Sequence, residues 1–308
     1  MRVQSTTLTP GSAIGDAGSS NAGTTAPATQ RTVPQKERCR ALVVPREHGA
    51  WGMLLIPLVT GAAIGLADGG RVVPVLLLTT AVLALFWLRT PVESWLGTNG
   101  VRVQTREDRQ LVGKVLLPLA AIAVASLTGL FWNGKNPELI TLGVIVLPVF
   151  AGQVVLKKMG RTTRIAAEVL GAVALTSTAS AAYYVSTGRF DTNALTLWLL
   201  NWLFAADQVY FVWLRIRGAR ITGWRNKIVV GWRFLAGQIV LGVALVLGCR
   251  LGWLREMALM AFVPVLFRGF AWFARKTQPI VVRRLGWTEL THAVVFGVLL
   301  VVGFTLIR

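Results

Sequence analysis

The chain alternates long uncharged apolar runs with short polar segments that are mostly basic. Each run is about 18 to 22 residues long, enough for a helix to cross the roughly 30 Å hydrocarbon layer of a bilayer. Because lipid offers the backbone no hydrogen-bond partners, such runs are expected to be helical. The pattern predicts nine membrane spans, at residues 48–67, 70–88, 112–132, 138–156, 165–186, 193–214, 228–249, 253–272 and 288–307. A total of eight or ten spans is the alternative, because the first run begins with polar residues and the eighth ends in a basic loop.

Residues 1–40 follow a different pattern, rich in Ser, Thr, Ala, Gly and Pro without any periodicity. Such a segment buries too little apolar surface to offset the entropy of ordering it. It also lacks the apolar centre of a secretory signal. We therefore predict a disordered cytosolic tail at 1–40 and a transmembrane helical domain at 41–308.

Composition supports the membrane interpretation, because 54% of the residues are hydrophobic and the mean hydropathy is +0.60. An ordinary soluble domain is less apolar. The formal charge of +19 is typical of nucleic-acid binding in a soluble chain. Here the basic residues fall in loops between predicted spans, where membrane topology and anionic lipids account for them. We expect membrane lipids as partners and no nucleic acid.

The distribution of basic residues predicts the orientation. With nine spans and a cytosolic N-terminus, 26 of the 32 Lys and Arg residues fall on the cytosolic side. Cytosolic loops are enriched in these residues, and a miscounted span would move every later loop to the other side. The sequence thus predicts an all-α, multi-pass bundle in the inner (cytoplasmic) membrane, with its C-terminus outside.

Ionisable residues inside spans are candidates for function, since each costs about 2.5 to 3.5 kcal/mol at the bilayer centre. The polar candidates in or beside the fifth to seventh runs are Arg164, Glu168, Asp207, Gln208, Arg215 and Arg233. Asp207 and Arg215 are eight residues apart and fall near one helical face. Arg164 and Glu168 form an i,i+4 pair of opposite charge. The alternative for all of them is an interhelical network that only fixes packing.

The predicted cytosolic side holds further candidates. The stretch "VPREHGAWGMLLIP" places Arg46 and His48 at the mouth of the first span. His292, near the cytosolic end of the ninth, follows a glutamate by three residues. Imidazole and carboxylate together can relay a proton or bind a transition metal, or they can cap helices. The polar loop after the second span contributes two more candidate residues, Arg89 and Glu93. The alternative is that this loop only connects two spans.

Four segments carry a family resemblance: "PREHGAWGMLLIPL", "LRTPVESWLG", "DQVYFVWLRIRG" and "RRLGWTELTHAVVFGVLL". They resemble the YwiC-like family of bacterial integral membrane proteins, over about residues 43–308. This resemblance implies a membrane protein class and no particular chemistry.

A second resemblance, to the UbiA-type intramembrane prenyltransferases, implies a UbiA-like helix arrangement. In that superfamily two aspartate-rich motifs, after the second and sixth spans, hold magnesium and a prenyl diphosphate. The segment "DQVYFVWLRIRG" is similar to the start of the second motif and keeps Asp207 and Gln208, but arginines stand where further aspartates would follow. The segment "LRTPVESW" lacks the asparagine-aspartate pair of the first motif. A magnesium ion would then rely on Glu93 and Asp207 alone.

The resemblance implies an intramembrane transferase acting on a lipid or isoprenoid with an anionic, phosphorylated head group. Glu93 and Asp207 would hold the metal or act as base, and His48 would donate a proton. The expected substrate-binding residues are Arg46, Arg89, Arg164, Glu168, Gln208, Arg215 and Arg233. The alternatives are a small-anion or proton-coupled transporter and a non-catalytic membrane assembly partner. The enzyme and transporter hypotheses both require these ions to meet in one polar chamber.

Overall fold

The computed structural model describes residues 42–43, 48–97, 103–132, 134, 137–160, 162–254, 256–276 and 281–306. The tail predicted at 1–40, the candidate Arg46 and the side chain of His48 lie outside this description.

Nine long helices occupy the described ranges, and each overlaps one of the nine predicted runs. They are α1 His48–Ala67, α2 Val72–Trp95, α3 Arg106–Trp132, α4 Pro137–Lys158, α5 Arg164–Thr187, α6 Thr192–Arg217, α7 Trp224–Arg250, α8 Glu256–Ala274 and α9 Val282–Thr305. No strand occurs within the same ranges. The predicted all-α class is confirmed.

Eight of these helices are long and apolar enough to cross a membrane, so the chain is a multi-pass membrane protein. The exception is α8, whose apolar part, Leu259–Ala274, is shorter. This helix corresponds to the eighth run, where the sequence left the number of spans open. The orientation of the bundle and the particular membrane stay predictions.

Helices α1 and α5 form the closest interface of the bundle, and glycine makes it possible. A Cβ atom at Gly61 would overlap the carbonyl oxygen of Ala179, and one at Gly65 would lie 2.9 Å from the Cβ of Ser186. Glycines four residues apart let two membrane helices approach at backbone distance. Around this pair, α2 and α4 pack on α5, while α6 and α9 pack on α1.

The two ends of the bundle differ in charge. At one end, here called the basic end, α2, α4, α6 and α8 finish and the odd-numbered helices begin. Two contacts join neighbouring helices there: Lys157 Nζ lies 3.7 Å from Glu93 Oε1, and Lys227 Nζ donates to the Trp272 carbonyl at 3.0 Å. Among the described Lys and Arg residues, only three lie toward the opposite end: Arg71, Arg189 and Arg250. The basic end is therefore the predicted cytosolic side.

Candidate functional site

Three buried ions from three helices form one network. Arg268 of α8 donates through Nη2 to Asp207 Oδ2 of α6 at 2.8 Å, and through Nη1 to Glu289 Oε2 of α9. The exposed fractions of the three side chains are 8% for Arg268, 3% for Asp207 and 8% for Glu289. We call these residues the triad. A two-pronged guanidinium suits this role because it offers separate donors to each carboxylate.

Neighbouring side chains hold the triad in place. The Gln238 amide of α7 donates to Asp207 Oδ1, and Gln208 Nε2 donates to the backbone carbonyl of Glu289 at 3.0 Å. The guanidinium carbon of Arg268 also lies 4.1 Å from the centre of the Phe211 ring, a cation–π contact. Four consecutive helices, α6 to α9, therefore meet at this network.

The triad lies in the half of the bundle toward the basic end. Asp207 is ten residues from the end of α6, Arg268 six from the end of α8, and Glu289 seven from the start of α9. At 1.5 Å of rise per residue, these positions are between about 9 and 15 Å from the helix ends. The three ions sit at similar depth, which allows them to pair across helices.

The charges of the triad do not cancel. Two carboxylates face one guanidinium, so the triad carries a formal charge of −1 when both acids are ionised. Binding of one proton makes it neutral. In the described part of the protein, Gln238 Oε1 and Arg268 Nε are buried without a hydrogen-bond partner. The arrangement can hold a proton or a small cation more readily than an anion.

Glu93 and Asp207 belong to different clusters. Arg89 Nε pairs with Glu93 Oε1 at 2.9 Å on α2, with Lys157 of α4 nearby. Helices α2 and α4 pack on α5, whereas Asp207 faces α7 and α8 from α6. The residues therefore do not fit a magnesium ion shared by both carboxylates.

The other predicted residues lie elsewhere. Arg164 pairs with Glu168 at 3.1 Å, as their spacing predicted, but their side chains are 76% and 44% exposed. Arg233 is exposed and lies over the ring of Trp232. Of the predicted residues whose side chains are described, only Asp207 and Gln208 join the triad network. This corrects the expectation of one common chamber.

Asp207 also has a different partner from the one expected. Arg215 is eight residues further along α6, about 12 Å in rise, and so lies near the helix end. Arg268 reaches Asp207 from a neighbouring helix at matching depth. Arg268 lies inside the predicted eighth run, 253–272, but was not among the candidate site residues. Its position within the apolar run "MAFVPVLFRGFAWF" was the available signal.

Glu289 likewise does not contact His292, the histidine three residues further along the chain. His292 Nδ1 lies 2.7 Å from the Thr288 carbonyl of its own helix, while Glu289 faces Arg268. The sequence placed this glutamate at the start of the ninth span, as observed, but its partner belongs to another helix.

Nine helices in the described ranges, eight of them long and apolar enough to span a membrane, define the class: a polytopic helical membrane protein. A family model described as "YwiC-like protein" matches residues 44–183. A relative from Bacillus subtilis (strain 168), "Uncharacterized protein YwiC", is 24% identical over 255 residues, which cover 82% of this chain and 95% of the relative. Over these ranges the chain is similar to YwiC-like proteins, in agreement with the resemblance of its sequence segments.

No solved structure matches the chain. Neither the family model nor the relative is described as a UbiA-type prenyltransferase, so that resemblance stays a prediction. The triad residues lie beyond the segment that the family model matches, in the C-terminal half of the bundle.

Proposed function

We propose that the protein is a proton-coupled transporter of small anions in the inner (cytoplasmic) membrane, with the triad as its proton-binding site. The observation that carries the proposal is the excess carboxylate: three side chains, each more than nine-tenths buried, bear two acids and one base. An unpaired charge in a membrane costs several kcal/mol. One bound proton removes that cost.

Binding of a proton to the triad would also change the packing between helices. Arg268 bridges α6 and α9 through its two nitrogens. When one carboxylate takes the proton, the guanidinium keeps only one charged partner, and the contact between α8 and the other helix weakens. A local charge change is thereby converted into a change in packing between helices. The basic end supplies the cations that would attract an anionic substrate.

The experiment follows proton movement in liposomes that contain the purified protein and a pH-sensitive dye. Phosphate and sulfate, which do not cross a bilayer unaided, are added outside in turn, and the internal pH is recorded. We expect at least one anion to drive protons inward with wild-type protein, and Asp207→Asn to abolish this movement. Glu168→Gln makes the same kind of charge change at an exposed site and serves as the matched control. Identical traces for wild type and Asp207→Asn would contradict the proposal.

A non-catalytic membrane assembly partner is the second candidate. Each triad ion already has a charged partner, as expected of a network that only fixes packing. In that case Asp207→Asn changes the stability of the protein, and no anion moves protons in wild-type liposomes.

The transferase suggested by the UbiA resemblance ranks third. Arg89 and Lys157 at the basic end support contact with an anionic head group. The separation of Glu93 from Asp207 opposes a metal-bound diphosphate. Mass spectrometry of lipids that co-purify with the protein tests this hypothesis, because phosphorylated isoprenoids in the preparation would raise its rank.

A further inference from the structure

Gln238 of α7 contacts the triad through only one end of its amide group. Its nitrogen donates to Asp207 Oδ1, whereas its oxygen, Oε1, is buried and has no hydrogen-bond partner among the described residues. Gln238 as a whole is 2% exposed, so bulk water is excluded from it. A buried acceptor without a partner costs free energy and requires an explanation.

The two carboxylates of the triad differ in their surroundings. A carboxyl group that takes up a proton becomes a donor and needs an acceptor for its O–H. Within the described ranges, the side chain of Glu289 hydrogen-bonds only to Arg268, and a guanidinium has donors but no acceptor. Asp207 lies beside the Gln238 amide, which has both. A half-turn of this amide brings its unpartnered oxygen to Asp207 Oδ1.

Gly269 of α8 provides the room in which this amide lies. A Cβ atom at that position would lie 2.7 Å from Gln238 Oε1 and 2.9 Å from Gln238 Cδ. A larger residue there would therefore displace the amide from its place beside Asp207. The half-turn itself exchanges the positions of the amide oxygen and nitrogen and needs no additional space. It also leaves one amide atom unpaired, as before.

We propose that Asp207 is the acid of the triad that binds the proton, and that Gln238 is a positioning residue that serves both of its forms. In the ionised form the Gln238 amide donates to Asp207 Oδ1. A proton from the water phase forms an O–H bond at Oδ1, which changes the formal charge of the triad from −1 to zero, and the rotated amide accepts from this O–H. Arg268 keeps Glu289 as its charged partner. This inference rests on the proposed role of the triad in proton binding.

Infrared difference spectroscopy of the protein in lipid films tests the assignment. Spectra at high and low pH are compared without any substrate anion, and the C=O stretch of a protonated carboxylic acid is followed. We expect this band to shift when aspartate, and not glutamate, carries heavy carbon in its side-chain carboxyl group. We also expect it to be absent in Asp207→Asn. The pH midpoint of the band measures proton affinity, and its frequency reports the hydrogen bond that the O–H donates.

Gln238→Met removes both amide groups and keeps an unbranched side chain. The ionised carboxylate then loses a charge-assisted hydrogen bond, which is stronger than the neutral bond that the protonated acid loses. We therefore expect the midpoint of the Asp207 band to rise by about one pH unit. The band should also move to higher frequency, because the O–H has lost its acceptor. Gln153→Met replaces a buried amide on α4 and should change neither quantity.

Gly269→Ala displaces the same amide without removing it, so it should act in the same direction and replaces Gln238→Met should that variant not fold. Its matched control is Gly237→Ala on α7, where the added methyl group meets open space. An unchanged midpoint and frequency in the folded amide variant would overturn the proposal. So would a band that shifts only with labelled glutamate, or no Asp207 band in the folded wild-type protein at any pH. The expected spectra without anion-driven proton movement in liposomes would reject the transporter and leave this assignment standing.

Discussion

Replacing Arg268 by methionine is the most direct perturbation of the triad. The change keeps an unbranched side chain of similar length, so little volume is lost, but it removes the only cation between Asp207 and Glu289 in the described network. The two carboxylates are then left buried, facing each other without compensation.

The expected loss of stability is about 3 to 5 kcal/mol, the usual cost of removing one partner from a buried ion pair. Each guanidinium–carboxylate contact contributes an attraction of about 4 kcal/mol for charges 4 Å apart at an effective dielectric constant of 20. Removing all three charges avoids this penalty. We therefore expect the triple variant Asp207→Asn, Arg268→Met, Glu289→Gln to be close to wild type in stability.

The stability of Arg268→Met should depend on pH with a defined sign. Without the guanidinium, the native variant takes up protons on its buried carboxylates more readily than the unfolded chain does. A native state that binds more protons gains stability as pH falls. Lowering the pH should thus restore part of the lost stability in Arg268→Met. The triple variant has no carboxylate at this site and should show no such gain in stability.

The assay is denaturant unfolding in a mild detergent, followed by the fluorescence of the 12 tryptophans. Arg164→Met makes the same substitution in the exposed pair with Glu168 and is expected to cost at most about 0.5 kcal/mol. Surface substitutions usually change the free energy of unfolding by no more than about 0.5 kcal/mol. If the free energy of unfolding of Arg268→Met is within that range of the wild-type value, the three ions are not a coupled, buried triad.

Three further predictions use the same unfolding assay. Lys227→Met should cost about 1 to 3 kcal/mol, because the buried ammonium donates to the carbonyls of Trp272 and Arg275 at the end of α8; a wild-type midpoint would contradict this anchoring role. Tyr184→Phe should cost about 1 kcal/mol through loss of the hydrogen bond to Glu138, and no change would show that water replaces it. Gly61→Ala should cost about 1 to 3 kcal/mol or more by overpacking α1 on α5, whereas Gly143→Ala, with open space around it, should be neutral; equal effects would refute the close approach.

The sequence predicted the spans well where the helix and the apolar run coincide. The boundaries of α1 are those predicted, and α5 differs by one residue at each end. Larger differences occur at the basic end, where α3 begins at Arg106 and not at residue 112. There Thr105 and Asp108 cap the helix reciprocally, since each backbone N–H donates to the other's side chain. Hydropathy detects the part of a helix immersed in lipid and misses such polar turns.

The triad was predicted only in part, because partner choice depends on which helices pack together. Asp207 and Arg268 are 61 positions apart in the chain, and no local periodicity relates them. Depth was the usable signal, since Asp207 lies about three turns and Arg268 about two turns inside helices that finish at the same end. Arg215 lies two residues from its helix end, too shallow to reach a carboxylate two turns deeper.

The second carboxylate separates the two leading functional hypotheses, and Glu289→Gln tests it. A network that only fixes packing needs one acid for its one base, so an additional buried carboxylate is a cost. Glutamine keeps an oxygen that can accept from Arg268 and leaves a neutral Asp207–Arg268 pair. If the triad serves packing alone, this variant should be as stable as wild type or more so, with nothing else changed.

If the triad binds the coupled proton, Glu289→Gln should again be stable but should lose anion-driven proton movement in liposomes, because the remaining pair is already neutral and has no reason to take up a proton. The same variant thus tests both hypotheses, because its stability and its proton movement are measured separately. A stable Glu289→Gln protein that still moves protons at the wild-type rate would remove Glu289 from the proton-binding site and leave the excess charge without a functional explanation.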